Sequence, residues 1–80
     1  MSNREKYDAA FLEAFSLAPD ELRADLAYQS VPTWDSVGHM GMIAALEEAF
    51  DIMMEMEDII DFSSYTKGKE ILKKYGVAIE

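Results

Sequence analysis

Asp35-Ser36-Val37-Gly38-His39 brings a carboxylate, a hydroxyl and the only imidazole of the chain within five residues. As a nucleophile, Ser36 would need a base and an orienting third group. His39 stands only three residues on along the same predicted helix, and no separate third element is indicated. Metal chemistry finds no ligand set, because there is no cysteine, one histidine, and no carboxylate run with calcium-loop spacing. A phosphate ester on Ser36 is a further possibility. Unpaired N–H groups and the positive dipole end stabilise phosphate at a helix N-terminus, and an external enzyme would supply the chemistry. Beside these stands the plainest reading, that Ser36 is the second residue of an ordinary helix cap.

The helix that would position this serine runs over SVGHMGMIAALEEAF, residues 36–50, with Asp35 as its N-cap. Val37, Met40, Ile43, Leu46, Ala49 and Phe50 recur at helical spacing, and Met42 widens the stripe. Glu47 and Glu48 fall on the other side, toward solvent or a partner. Gly38 and Gly41 soften the first turns by about 1 kcal/mol each relative to alanine. They also remove side-chain bulk around Ser36 and His39. The His39 ring shares a helical face with Ser36, within reach of a modest contact to a phosphate there. Trp34 either packs in the core or offers an aromatic contact to a partner.

Upstream, Ser2-x-x-Glu5 fits a capping box, and Tyr7, Phe11, Leu12 and Phe15 follow helical spacing, so a first helix is expected over Asn3–Phe15. Residues 16–35 form a long connection that Pro32 separates from the next helix. Such a loop is expected to pack through Leu22, Leu26, Tyr28 and Val31, or to be functional. Residues 51–54 turn a corner. A short helix over 56–62 contributes Ile59, Ile60 and Phe62 to the core. Ser63 or Ser64 caps a last helix with Tyr65, Gly68, Leu72 and Tyr75 on one face, basic Lys73 and Lys74 at its end, and Gly76 as the C′ residue. The expected fold is all-α, a small four-helix bundle of three main helices plus a short third one, in a single domain over residues 1–80.

The net charge of −9 disfavours nucleic acid and anionic membrane surfaces and suits partners with basic faces. No Lys or Arg lies between Arg23 and Lys67, whereas Asp25, Asp35, Glu47, Glu48, Asp51, Glu55, Glu57, Asp58 and Asp61 all do. That single-sign interval is either a solubility device or a docking surface. The first residues carry no signal-peptide pattern, and no apolar run is long enough to span a bilayer. A soluble, cytoplasmic monomer is the expectation.

Asp35-Ser36-Val37, followed by Ile43-Ala44-Ala45-Leu46-Glu47-Glu48-Ala49-Phe50-Asp51-Ile52, resembles the Asp-Ser-Leu and Leu-Glu-Glu-x-Phe region of acyl carrier proteins. The layout of the first helix, long loop, short helix at 56–61 and last helix led by Phe62-Ser63-Ser64-Tyr65 is similar across nearly the whole chain. The resemblance implies a carrier rather than an enzyme. Ser36 would bear 4′-phosphopantetheine, whose thiol holds an acyl or aminoacyl group as a thioester. Asp35 would assist docking to a phosphopantetheinyl transferase. Val37 and Met40 would form an apolar contact patch, although Met40 reads equally as core. Glu47, Glu48, Glu55, Glu57 and Asp58 would face partners. Those partners would be the transferase, a loading enzyme such as an AMP-forming ligase, and a downstream synthase or transferase. Gly38 and Gly41 stand where fatty-acid carriers have acids, and Trp34 resembles the aromatic flank of specialised carriers. These departures point away from housekeeping fatty acid biosynthesis and toward secondary metabolism. From another class, the alternative is a cofactor-free acidic helical adaptor.

Overall fold

The computed structural model of the chain describes residues 2–22 and 25–79. The chain is a small all-α four-helix bundle with helices α1 (Asn3–Phe15), α2 (Ser36–Phe50), α3 (Met56–Asp61) and α4 (Tyr65–Lys73). Local chemistry sets the boundaries. Ser2 and Glu5 form the expected capping box on α1. The Asp35 carboxylate accepts from the Gly38 N–H at 2.8 Å and starts α2. Ser64, not Ser63, caps α4 by accepting from Lys67 N–H at 2.9 Å.

The helix ends follow one rule. Ser16, Asp51 and Gly76 adopt left-handed backbone after α1, α2 and α4. The next N–H in each case returns to a carbonyl five residues back: Leu17 to Leu12, Ile52 to Glu47, and Val77 to Leu72, each at 3.1 Å. These bonds satisfy carbonyls that the helix leaves unpaired and turn the chain sharply.

The buried face of α1 is Tyr7, Ala10, Phe11 and Phe15, with Ala10 taking the place expected of Leu12. It packs along α2, whose buried residues are Met42, Ile43 and Leu46. The predicted α2 stripe therefore needs correction at its N-terminal end. Val37 is 81% exposed and Met40 53% exposed. This helix is apolar around most of its circumference, so periodicity alone does not choose which edge the neighbouring helices cover. From α4, Tyr65, Gly68, Ile71 and Leu72 close the core. Gly68 admits a close approach, since a Cβ there would lie 2.1 Å from the Phe62 ring and 2.3 Å from the Tyr7 hydroxyl.

The long loop is tied down by its backbone. Leu26 and Ala27 meet the start of α4, with Tyr28 N–H donating to Ser63 at 2.9 Å and Tyr65 N–H donating to Leu26 at 2.8 Å. Leu26 is buried, and Leu22 and Val31 pack partly against the core. Trp34 ends the loop fully buried, stacked on Phe15 with ring centroids 4.9 Å apart.

Asp58 joins α3 to the end of α4. Its carboxylate accepts from Lys74 Nζ at 2.5 Å and from the Tyr75 hydroxyl. Tyr75 in turn accepts from the Glu55 N–H at 2.9 Å. Asp58 is buried, so the docking carboxylate expected at this position is an internal tie. The Lys74 hydrogen bond, then that of Tyr75, holds the Asp58 carboxyl below its ordinary value of 3.8. A carboxyl depressed on folding contributes stability that is full above its unfolded pKa and is lost as pH falls through its folded one. The stability gap between the wild type and Asp58→Asn should therefore be full near about pH 6 and narrow below about pH 4. Urea unfolding across that range measures it, and a gap unchanged down to about pH 2.5 would place its origin elsewhere.

Candidate functional site

Ser36 is the first residue of α2 and is exposed. The cap bond belongs to Asp35, and the Ser36 hydroxyl has no hydrogen-bond partner among the described residues. Ser36 is thus the residue behind an ordinary Asp35 cap, as the plainest reading has it, and its hydroxyl takes no part in the capping bond. The N–H groups of Ser36 and Val37 are first-turn donors that the helix itself does not satisfy. Together with the dipole they favour an anion on the serine oxygen.

His39 is not positioned as a base for Ser36. Its Nδ1 accepts from the Trp34 indole N–H at 3.0 Å, and its Nε2 lies 2.7 Å from the Ile59 carbonyl of α3. The ring also stacks near Trp34 and meets Tyr28 and Phe62 edge-on. The expected contact with a phosphate would require a ring nitrogen that these two bonds already use. Trp34 belongs to the core, as its full burial shows.

Beside the serine lies a groove of about 380 Å³ lined by Tyr28, Ser36, His39, Met40, Ile59, Ile60, Phe62 and Ser63. Its walls are mostly apolar and come from the long loop, the start of α2, α3 and the segment that leads into α4. Exposed apolar side chains continue outward from it. Val37 and Met40 lie one turn apart on α2, and Met56 and Ile60 lie one turn apart on α3, the latter pair 73% and 72% exposed. Ile60, expected in the core, is therefore at the surface, together with Met56, for which the sequence analysis holds no expectation. Their spacing of four was the available signal, but a six-residue helix is too short to show which side is covered. Tyr28, expected to pack within the loop, is 40% exposed and forms a groove wall instead.

The predicted acidic face is rearranged. Glu48, Glu55 and Glu57 are exposed, as are Asp35 and Asp61. Glu47 is half-buried and accepts from the Met54 N–H at 2.9 Å, which holds the corner after α2. Glu48 points to a different side and lines a groove between α1 and α2 with Lys6 and Glu13. Neither Glu47 nor Glu48 borders the groove at Ser36.

Compared with protein-family models, curated protein sequences and solved structures, the chain matches none. Among the described residues, no helix is long and apolar enough to cross a membrane. No cluster of three or more His, Cys, Asp or Glu side chains among them is placed to hold a metal ion.

Proposed function

We propose that this protein is a carrier whose Ser36 takes 4′-phosphopantetheine from a transferase and presents an acyl or aminoacyl group to other enzymes. The observation that carries this reading is the exposed, unpartnered Ser36 hydroxyl at the N-terminus of a long helix, beside an apolar groove. Sequence resemblance to acyl carrier proteins around Asp35-Ser36-Val37 supports it independently.

The residues present fit the group. Ser36 Oγ would attack the pyrophosphate of coenzyme A, forming the new phosphodiester while the P–O bond to the nucleotide breaks and the serine proton leaves to the transferase. The free first-turn N–H groups would face the resulting anion. Asp35 keeps its carboxylate on Gly38 N–H, which fixes the helix start and limits its repulsion of the phosphate. When bound, the arm supplies a terminal thiol that holds cargo as a thioester at high effective concentration near a partner's site. Val37, Met40, Met56 and Ile60 would give partners an apolar contact around the arm. Exposed Asp35, Glu57 and Asp61 carry the same negative sign around these two helices and would meet basic residues. Loading would fall to an acyl- or aminoacyl-activating enzyme, including the AMP-forming kind, and consumption to a synthase or transferase.

Incubation with coenzyme A and a broad-specificity phosphopantetheinyl transferase should add one phosphopantetheine to the intact mass. Ser36→Ala should abolish the gain and retain helicity, because Asp35 still caps α2. Modification surviving in that variant sinks the assignment of the serine. No modification of the wild type turns the reading to an acidic adaptor that binds through the same exposed apolar residues.

A further inference from the structure

His39 links three elements through one ring. The indole N–H of Trp34 can only donate, so Nδ1 of His39 must present a lone pair to it. The proton of the neutral ring then sits on Nε2, which donates to the Ile59 carbonyl. Trp34 is fully buried at the end of the long loop, while Ile59 belongs to α3, a helix of six residues. So short a helix has little hydrogen bonding of its own and depends on tertiary ties for its position.

We infer that His39 is a positioning residue that seats α3 against α2 beside Ser36, and that proton uptake at Nδ1 unseats it. A second ring proton turns Nδ1 into a donor facing the donor of Trp34. That bond is lost, and the buried indole N–H is left without an acceptor. To relieve the clash of donors the ring must turn, which takes Nε2 off the Ile59 carbonyl. Ile59 and Ile60 wall the groove, so movement of α3 changes the space beside the serine. The pin stands whether or not Ser36 carries a cofactor.

The surrounding groups isolate the effect. Tyr28 meets the His39 ring edge-on from the loop, and Phe62 does so from the segment before α4. On α2, the Asp35 carboxylate is committed to Gly38 N–H. On α3, Glu57 and Asp61 are exposed, and Asp58 is committed to Lys74 and Tyr75. Those bonds hold Asp58 below its ordinary range and Lys74 and Tyr75 above theirs. The tie from α3 to α4 therefore keeps its charge state at neutral and mildly acidic pH.

Nitrogen NMR of the unmodified chain tests this together with amide hydrogen exchange. At about pH 8 the ring should show a bare Nδ1 and a protonated Nε2. Wherever acidification leaves the nitrogen shifts reporting a doubly protonated ring, protection of the Ile59 and Ile60 amides should be about tenfold lower while α1 keeps its own. His39→Gln offers an oxygen acceptor and an N–H donor but no titration, so its α3 protection should not respond to pH. His39→Phe should show low α3 protection throughout. The inference is overturned by an Nδ1–H tautomer at high pH, or by a ring that stays neutral throughout. Unchanged α3 protection around a doubly protonated ring overturns it too, as does a full pH response in His39→Gln. Since Ser36 loading is read separately by mass, failure here leaves the carrier reading standing.

Discussion

Gly38→Ala should destabilise the fold and Gly41→Ala should stabilise it, although the two glycines lie in the same helix three residues apart. A Cβ at Gly38 would stand 2.0 Å from the Thr33 carbonyl oxygen and 3.2 Å from the Phe15 ring. A backbone oxygen cannot swing aside as a side-chain tip can. Relief requires moving the end of the long loop, which carries buried Trp34 and the Asp35 cap. Overpacking of this kind costs about 1–3 kcal/mol or more, which outweighs the gain in helix propensity of about 1 kcal/mol. A Cβ at Gly41 would meet nothing within 4 Å, and the position is exposed, so only the propensity gain remains. Urea midpoints should move in opposite directions with unchanged m-values. A stabilised Gly38→Ala would show that the loop end yields easily and is not held by its packing.

Trp34→Ala should give the largest loss among side-chain truncations near the site. The ring is fully buried, stacks on Phe15 and meets Phe11 edge-on at 5.5 Å. Truncating a core Trp costs about 3–5 kcal/mol, from lost burial and the cavity left behind. At about 0.05–0.15 kcal/mol per residue, a chain of 80 residues has about 4–12 kcal/mol in all, so this loss removes a large share of it. Trp34→Phe keeps an aromatic ring for the stack and loses only the indole N–H and part of the volume, so it should lie between Ala and the wild type. Chemical denaturation ranks the three proteins. Equal losses for Phe and Ala would assign the stabilisation to the hydrogen bond with His39 and not to ring packing.

Both expectations bear on how the serine is presented. The start of α2 is held by the Asp35 cap on Gly38 N–H, a stacked indole and an imidazole bonded on both sides. In the carrier reading, these contacts give a transferase a fixed helix end and leave α3 as the adjustable wall. The electrostatic contribution falls to fewer acids than their sequence positions imply, because Asp58 and Glu47 serve the fold. Exposed Glu48 and Glu57, by contrast, keep their charge for solvent or partners.

The features legible in residue type alone are local. The capping box at Ser2 and Glu5, the Asp35 cap, a serine cap at 63 or 64 and Gly76 after α4 are short-range hydrogen-bonding and backbone problems, and residue type solves them in place, the choice of Ser64 excepted. Helix order, the long loop and the position of Ser36 at a helix start follow from those signals. Tertiary structure alone decided which apolar residues are covered. Val37, Met40 and Ile60 satisfy helical spacing yet remain exposed, while Trp34, placed outside any helix, lies at the centre of the core. It also decided which charges are free, since Asp58 finds Lys74 only when α3 and α4 come together. The joining of Trp34, His39 and Ile59 is of the same kind. Spacing reports the period of a helix, but the rotation of that helix about its axis, and the partners of each polar atom, are set by neighbours distant in the chain.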